Sequence, residues 1–172
     1  MKWGNVMKYV KEYLPYVVII VCVILIRIYV ISPVQVDGSS MVPTLQDNQI
    51  LLLQKYDRKF HRFDIVVLKY GKDKLVKRII GLPGETVSYQ ENQLYINGTR
   101  IEEPFLPENI KTNDFDLTSI GYNKIPQDYY FVVGDNRSDS LDSRYIGLIP
   151  KKYIEGTVHF RLFPFSTFGK IS

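Results

Sequence analysis

The 172-residue chain has a single cysteine, Cys22, and only two histidines, His61 and His159. One cysteine permits no internal disulfide, and no cysteine cluster is available to bind zinc. Stability in an oxidising space would have to come from packing alone. Few ordinary general bases are present, and neither histidine lies in a distinctive turn motif. His61 falls in a basic stretch, and His159 falls in the late run "TVHFRLF". Only the acidic loop "GDNRSDSLDSR" gathers enough carboxylates to suggest a metal. As a calcium loop starting at Asp135 it fails, because Arg137, Ser140 and Ile146 stand where a ligand, a glycine and a glutamate are needed. We therefore expect no metal and no cofactor. After residue 31 the chain also lacks internal repeats, low-complexity tracts and any sustained helical period.

A long apolar run comes first. Leu14 to Ile31, "LPYVVIIVCVILIRIYVI", carries one charge, Arg27. As a helix it would extend about 27 Å, close to the ~30 Å hydrocarbon core of a bilayer. No polar stripe interrupts Val17 to Ile26, so a core helix is a poor reading. Arg27 is near enough to one end to snorkel. Lys2, Lys8 and Lys11 precede the run, which predicts a cytoplasmic segment 1–13 and a single membrane anchor 14–31. The remainder, 32–172, would then be extracytoplasmic. "VISPVQVDG" offers no small-x-small cleavage site, so the run reads as an uncleaved anchor rather than a signal peptide.

The formal net charge is +4 and the excess is local. Nine Lys or Arg fall between Lys55 and Arg78, against Asp57, Asp64 and Asp73. Nucleic acid and anionic lipid headgroups both fit such a stretch. The charges alternate with apolar residues instead of forming a block, so we read them as solvated strand faces. The lipid bilayer is an expected partner; nucleic acid is not.

The rest of the chain is patterned for strands. Apolar or alternating runs recur as "QILLLQKY", "DIVVLKY", "KLVKRII", "ETVSYQ", "QLYING", "YYFVVGD" and "GTVHFRLF". The turn signals "GLPGE", "NG" and "IPQD" separate several of them. This predicts a mainly β fold, an antiparallel sheet domain behind one transmembrane helix. Glu108 to Tyr122 is weakly patterned and reads as a loop. Asn97-Gly98-Thr99 is formally a glycosylation sequon, as is Asn136-Arg137-Ser138. Between alternating apolar residues, Asn97-Gly98 reads better as a type I′ hairpin turn.

Two adjacent serines occupy the turn-like stretch "VDGSSMVPTL", Val36 to Leu45. Without a suitable histidine, a lysine can serve as base if burial destabilises its ammonium. Lys77 in "KLVKRIIGLPGE" is the best candidate, because its same-face strand neighbours are Leu75 and Ile79. Lys72 and Lys74, near a Gly-Lys-Asp turn, should stay solvated. On pattern alone Lys77 also reads as a surface strand lysine.

Four segments, "GSSMVPTL", "RFDIVVLKY", "VKRIIGLPGE" and "VVGDNRSDSLDSRYIGLIP", closely resemble in kind and order the boxes of bacterial type I signal peptidases. The likeness extends over nearly the whole chain and points to the compact Gram-positive type. It implies a membrane-bound serine endopeptidase of the signal peptidase and repressor-protease fold type. Its substrates would be secreted preproteins with small residues at the first and third positions before the cut. By this resemblance Ser40 is the nucleophile and Lys77 the general base. Ser140 matches a serine that hydrogen-bonds the lysine, Asp142 and Arg144 match a supporting acid and base, and Asp135 matches the partner of Arg78. Asp64 fits a family strand in which Phe63 replaces a common glycine. Gly38 stands where some members carry an oxyanion-assisting serine, which would leave that task to backbone N–H groups. Val36, Leu45 and Val76 match pocket-lining positions and also read as ordinary core. Phe160, Phe163, Phe165 and Phe168 read first as C-terminal packing, with contact to the membrane face as the alternative. A self-cleaving serine–lysine protein of the repressor type and a non-catalytic tethered binding domain are the competing readings.

Overall fold

In the computed structural model, which describes residues 3–171, one helix leads into two antiparallel sheets. In chain order the elements are α1 (Trp3–Tyr29), β1 (Ile31–Gln35), β2 (Ile50–Gln54), β3 (Ile65–Tyr70), β4 (Asp73–Gly81), β5 (Val87–Gln90) and β6 (Gln93–Ile96). Then follow β7 (Thr99–Ile101), β8 (Phe115–Asp116), β9 (Tyr129–Val133), α2 (Ser143–Ile146), β10 (Ile149–Pro150), β11 (Ile154–Phe163) and β12 (Gly169–Lys170). Lys2, one of the charges bearing on orientation, lies outside the described residues.

From Lys11 to Val30 every residue of α1 and the following turn is exposed. The stretch Lys11–Tyr29 has a mean hydropathy of 2.0 with none of it buried against protein. A face so apolar all round is matched to lipid, not to a protein core. The helix stops at Tyr29, two residues before the expected end of the anchor, and Ile31 belongs to β1, paired with Gln54. Hydropathy alone does not mark this end. Lys55 does, because its Nζ donates to the carbonyls of Arg27 and Ile28 at 3.3 Å, and its N–H donates to the Val30 carbonyl. A cation on the last free carbonyls is a favourable helix end.

The larger sheet has the order β1-β2-β11-β3-β4-β9-β10, with β12 on β11, and the smaller runs β7-β6-β5-β8. All pairings are antiparallel, as the alternating runs predict. Asn97 and Gly98 have φ of 51° and 77°, the left-handed pair that a two-residue type I′ hairpin demands. The weakly patterned segment 108–122 is not wholly loop. It contributes β8 and a single 3-10 turn, Leu117–Ile120, started by the Asp116 side chain accepting from the Thr118 N–H. Two residues are too few to show a period.

Strand β4 is the hinge of the architecture because both its faces are buried. Val76 packs beside Val36, Met41, Leu45 and Val67, whereas Ile79 packs with Val66, Tyr130 and Val132. Each such aliphatic burial contributes roughly 1.5–3 kcal/mol. Lys77 therefore sits in the interior, one of the largest fully buried side chains, at 2% exposure. The C-terminal aromatics do not pack as first read. Phe163, Phe165 and Phe168 are 45%, 81% and 57% exposed, their rings stacked in edge-on pairs Phe160–Phe168 and Phe163–Phe165. They lie where β11 ends and turns back to β12, with too few side chains above to cover them.

Candidate active site

The stretch after β1 leaves the sheet at Gly38, whose φ of 87° favours glycine, and turns tightly through Leu45. The Val42 N–H donates to the Ser39 carbonyl and the Leu45 N–H to the Met41 carbonyl. Met41 and Leu45, at 1% and 0% exposure, anchor this turn in the core and leave Ser40 at its lip. The Gly38 N–H is taken by Asp47 Oδ1 at 2.9 Å, whereas the Ser40 N–H makes no hydrogen bond among the described residues.

Lys77 Nζ lies 2.5 Å from Ser40 Oγ. Burial pulls its pKa from 10.5 down to about 8. Asp142, Asp135 and Asp139 resist that fall, and Arg144 adds to it. An amine whose neutral form becomes accessible near pH 8, set on a serine hydroxyl, is chemically a base poised on a nucleophile. His61 and His159 play no comparable part. His61 is exposed in a turn beside Asp64, and His159 lines a cleft with Arg78, on the opposite face of β4 from Lys77.

The loop after β9 closes the site from below. Gly134, the residue after β9, carries no side chain where a Cβ would strike the Ser40 carbonyl and Ser140. Ser140 Oγ is buried beside Asp142, whose carboxylate it helps to stabilise, and no hydrogen bond joins it to Lys77 among the described residues. The resemblance implies such a bond; here Lys77 donates to Ser40 instead. Asp142 caps α2, and its Oδ2 accepts from the Gly134 N–H at 3.0 Å. Arg144 grips both its oxygens at 2.9 Å. Burial pushes the Asp142 carboxyl up, but Arg144, with the Gly134 N–H and Ser140, outweighs it and the pKa ends below the usual carboxylate range.

Behind Lys77, Arg78 and Asp135 form a buried bidentate pair at 2.9 and 2.6 Å, with the guanidinium 3.8 Å from the Phe105 ring centroid. Thr44 Oγ1 also donates to Asp135, tying the Ser40 turn to the same carboxylate. Phe63, the departure noted beside Asp64, has φ of 72°, which is the reason glycine suits that position. Its ring packs on Phe105 and its carbonyl accepts from Arg78. Asp135→Ala removes the counter-ion of a buried cation. We expect it to destabilise the full-length chain by about 3–5 kcal/mol in thermal unfolding, and an unchanged midpoint would refute this architectural role.

Sequence reasoning missed several members of the site. Arg137, 3% exposed, donates to Tyr89 OH, Thr112 Oγ1 and Glu103 and so locks the loop to the smaller sheet. Gly134, Asn136 and Asp139 were also unassigned, although all belong to the segment "VVGDNRSDSLDSR". Val36, Leu45 and Val76 meet Met41 in one apolar cluster directly under the turn.

A buried lysine amine lies on a serine hydroxyl, held by a β scaffold behind an apolar helix, and this is an arrangement that a serine–lysine hydrolase of membranes would use. A family model described as signal peptidase, peptidase S26, matches residues 7–163. Signal peptidase I of Bacillus amyloliquefaciens is 45% identical over 162 residues, covering 90% of this chain and 88% of that one. Signal peptidase I S of Bacillus subtilis strain 168 is 45% identical over 163 residues, covering 90% and 89%. The crystal structure of a signal peptidase I from Enterococcus faecalis V583 is similar with a TM-score of 0.52 at 38% identity, covering 58% of this chain and 96% of that one. The chain belongs to the signal peptidase family, peptidase S26, and is a membrane-anchored peptidase that removes signal peptides from secreted preproteins.

Proposed function

We propose that this peptidase cuts preproteins with Ser40 as nucleophile and Lys77 as general base. The contact between Lys77 Nζ and Ser40 Oγ inside a desolvated pocket carries the reading. In the neutral state Lys77 accepts the Ser40 proton as Oγ attacks the scissile carbonyl. The ammonium so formed protonates the departing amine, and water, activated by the same lysine, hydrolyses the acyl-enzyme. The free Ser40 N–H is the first donor to the oxyanion, with no hydroxyl at Gly38 to assist it.

An extended substrate fits beside this dyad. Among the described residues β1 pairs only with β2, and residues 73–77 of β4 pair only with β3, so two free strand edges flank one groove. Pro33, Val34, Gln35, Lys72, Asp73 and Lys74 line it. A substrate strand laid there gains main-chain hydrogen bonds, and Val36, Leu45 and Val76 are the positions that the family resemblance implies select small residues before the cut. In this reading residues 1–13 are cytoplasmic and the β domain extracytoplasmic, with Phe163, Phe165 and Phe168 resting on the outer membrane face.

The pH dependence of preprotein cleavage tests the base. Only deprotonated Lys77 can accept a proton, so kcat/KM must fall as pH drops through about 8. Between pH 8 and pH 6 the neutral fraction falls about fifty-fold, and the rate should follow, its slope approaching one at the acid end. A flat profile over that range would rule out a lysine base.

A further inference from the structure

Ser39, the neighbour of Ser40, has no assigned chemistry, yet it is the better tethered of the two. Its Oγ donates to Asp139 Oδ2 at 3.0 Å, and its carbonyl accepts from Asn136 Nδ2 at 3.2 Å. The Asn136 N–H donates to the Ser40 carbonyl at 3.0 Å. The Asp139 N–H in turn donates to the Asn136 carbonyl at 3.1 Å, folding this stretch so that both side chains reach the Ser40 turn. The loop does not need these bonds to stay in place. Arg137 already fixes it to Tyr89, Thr112 and Glu103, and Arg144 Nη1 holds the Arg137 carbonyl. Ser39 and Asp139 are both exposed, so their hydrogen bond adds little to global stability. What it restrains is the turn that carries Ser40.

We propose that Asp139 is a positioning residue for the peptidase reaction, holding the Ser40 turn through Ser39 while placing a negative charge near Lys77. The inference rests on the Ser40–Lys77 reading. The charged groups around Lys77 are Asp135 and Asp139 from the loop after β9, and Asp142 and Arg144 from the start of α2. Against burial, the dominant influence, Asp139 helps hold the lysine's pKa up, together with Asp142 and Asp135. Its two effects can be separated. Asp139→Asn keeps an acceptor for Ser39 Oγ but loses the charge. Ser39→Ala keeps the charge but loses the bond.

The test uses the full-length chain in detergent, with kcat, KM and the pH profile measured on one preprotein. Ser39→Ala and Asp139→Ala should each lower kcat about five- to ten-fold at unchanged KM. The double variant should be no slower than either single, because both remove the same bond. Asp139→Asn should recover most of the kcat lost in Asp139→Ala but move the acid limb to lower pH, whereas Ser39→Ala leaves the limb in place. A purely structural role would move the amount of folded enzyme and not this limb. Wild-type kcat in Ser39→Ala, multiplying losses in the double variant, or an unmoved limb in Asp139→Asn would each overturn the proposal. Ser40→Ala in the same assay separates the two readings: if it still cleaves, the dyad has failed whatever Asp139 does.

Discussion

Lys77→Met in the full-length chain is expected to abolish preprotein cleavage and, at neutral pH, to raise stability. The first half follows from the base. Methionine has no lone pair to take the Ser40 proton, and removing one member of a nucleophile–base pair costs on the order of a thousand-fold or more. The second half follows from the cost of keeping an amine at 2% exposure between Leu75 and Ile79. The folded pKa of about 8 lies below the ordinary 10.5, so the unfolded chain binds this proton more tightly. Folding is penalised fully below pH 8, and the penalty fades as pH rises toward 10.5. Methionine matches the lysine stem in length and carries no charge, so the gain at pH 7 should be about 2 kcal/mol. Ser40→Ala should lose as much activity with no such gain. Thermal unfolding of wild type and both variants at pH 7 and pH 10 separates these outcomes. A Lys77→Met chain that unfolds before the wild type at pH 7 would contradict the buried-amine account.

The same residue shows how far a sequence can carry such a site. Alternation placed Leu75, Lys77 and Ile79 on one face of a strand, and that face is buried as the aliphatic neighbours suggested. Whether the lysine was interior or solvated depended on what lay above it, and Ser40 comes from a turn 37 residues away. The Asp135–Arg78 pair followed from the resemblance. The Arg137 network did not, because its partners Tyr89, Glu103 and Thr112 belong to different segments and only the packed loop unites them. Backbone conformation was equally hidden. The left-handed φ at Phe63 explains a glycine preference that the sequence showed only as a departure. At the other extreme, the three exposed phenylalanines looked like core because hydrophobicity is local, whereas burial depends on covering atoms that β12 does not supply.

Gly134 is the residue whose replacement should damage catalysis most for the smallest change in mass. It stands where β9 ends, its N–H bonded to Asp142 and its Cα packed between the Ser40 carbonyl and Ser140. An alanine Cβ would collide with the Ser40 carbonyl oxygen and lie 2.7 Å from Ser140 Cβ. The Ser140 side chain can rotate or shift, but the Ser40 carbonyl is backbone and can move only with its turn. That turn is anchored on its far side by buried Met41 and Leu45, so the strain falls on the Ser40–Lys77 contact. A displacement of about 1 Å at reacting atoms costs on the order of a hundred-fold. Gly134→Ala should therefore lower kcat about a hundred-fold with little change in KM, and lose about 1–3 kcal/mol of stability through overpacking. The pair Gly134→Ala with Ser140→Gly tests where the damage lies. Removing the Ser140 side chain relieves one clash and leaves the backbone clash intact, so stability should recover more than activity. If activity returns in full instead, the Ser40 turn was never held by the end of β9, and its placement depends on Met41, Leu45, Asn136 and the bonds of Ser39 and Thr44.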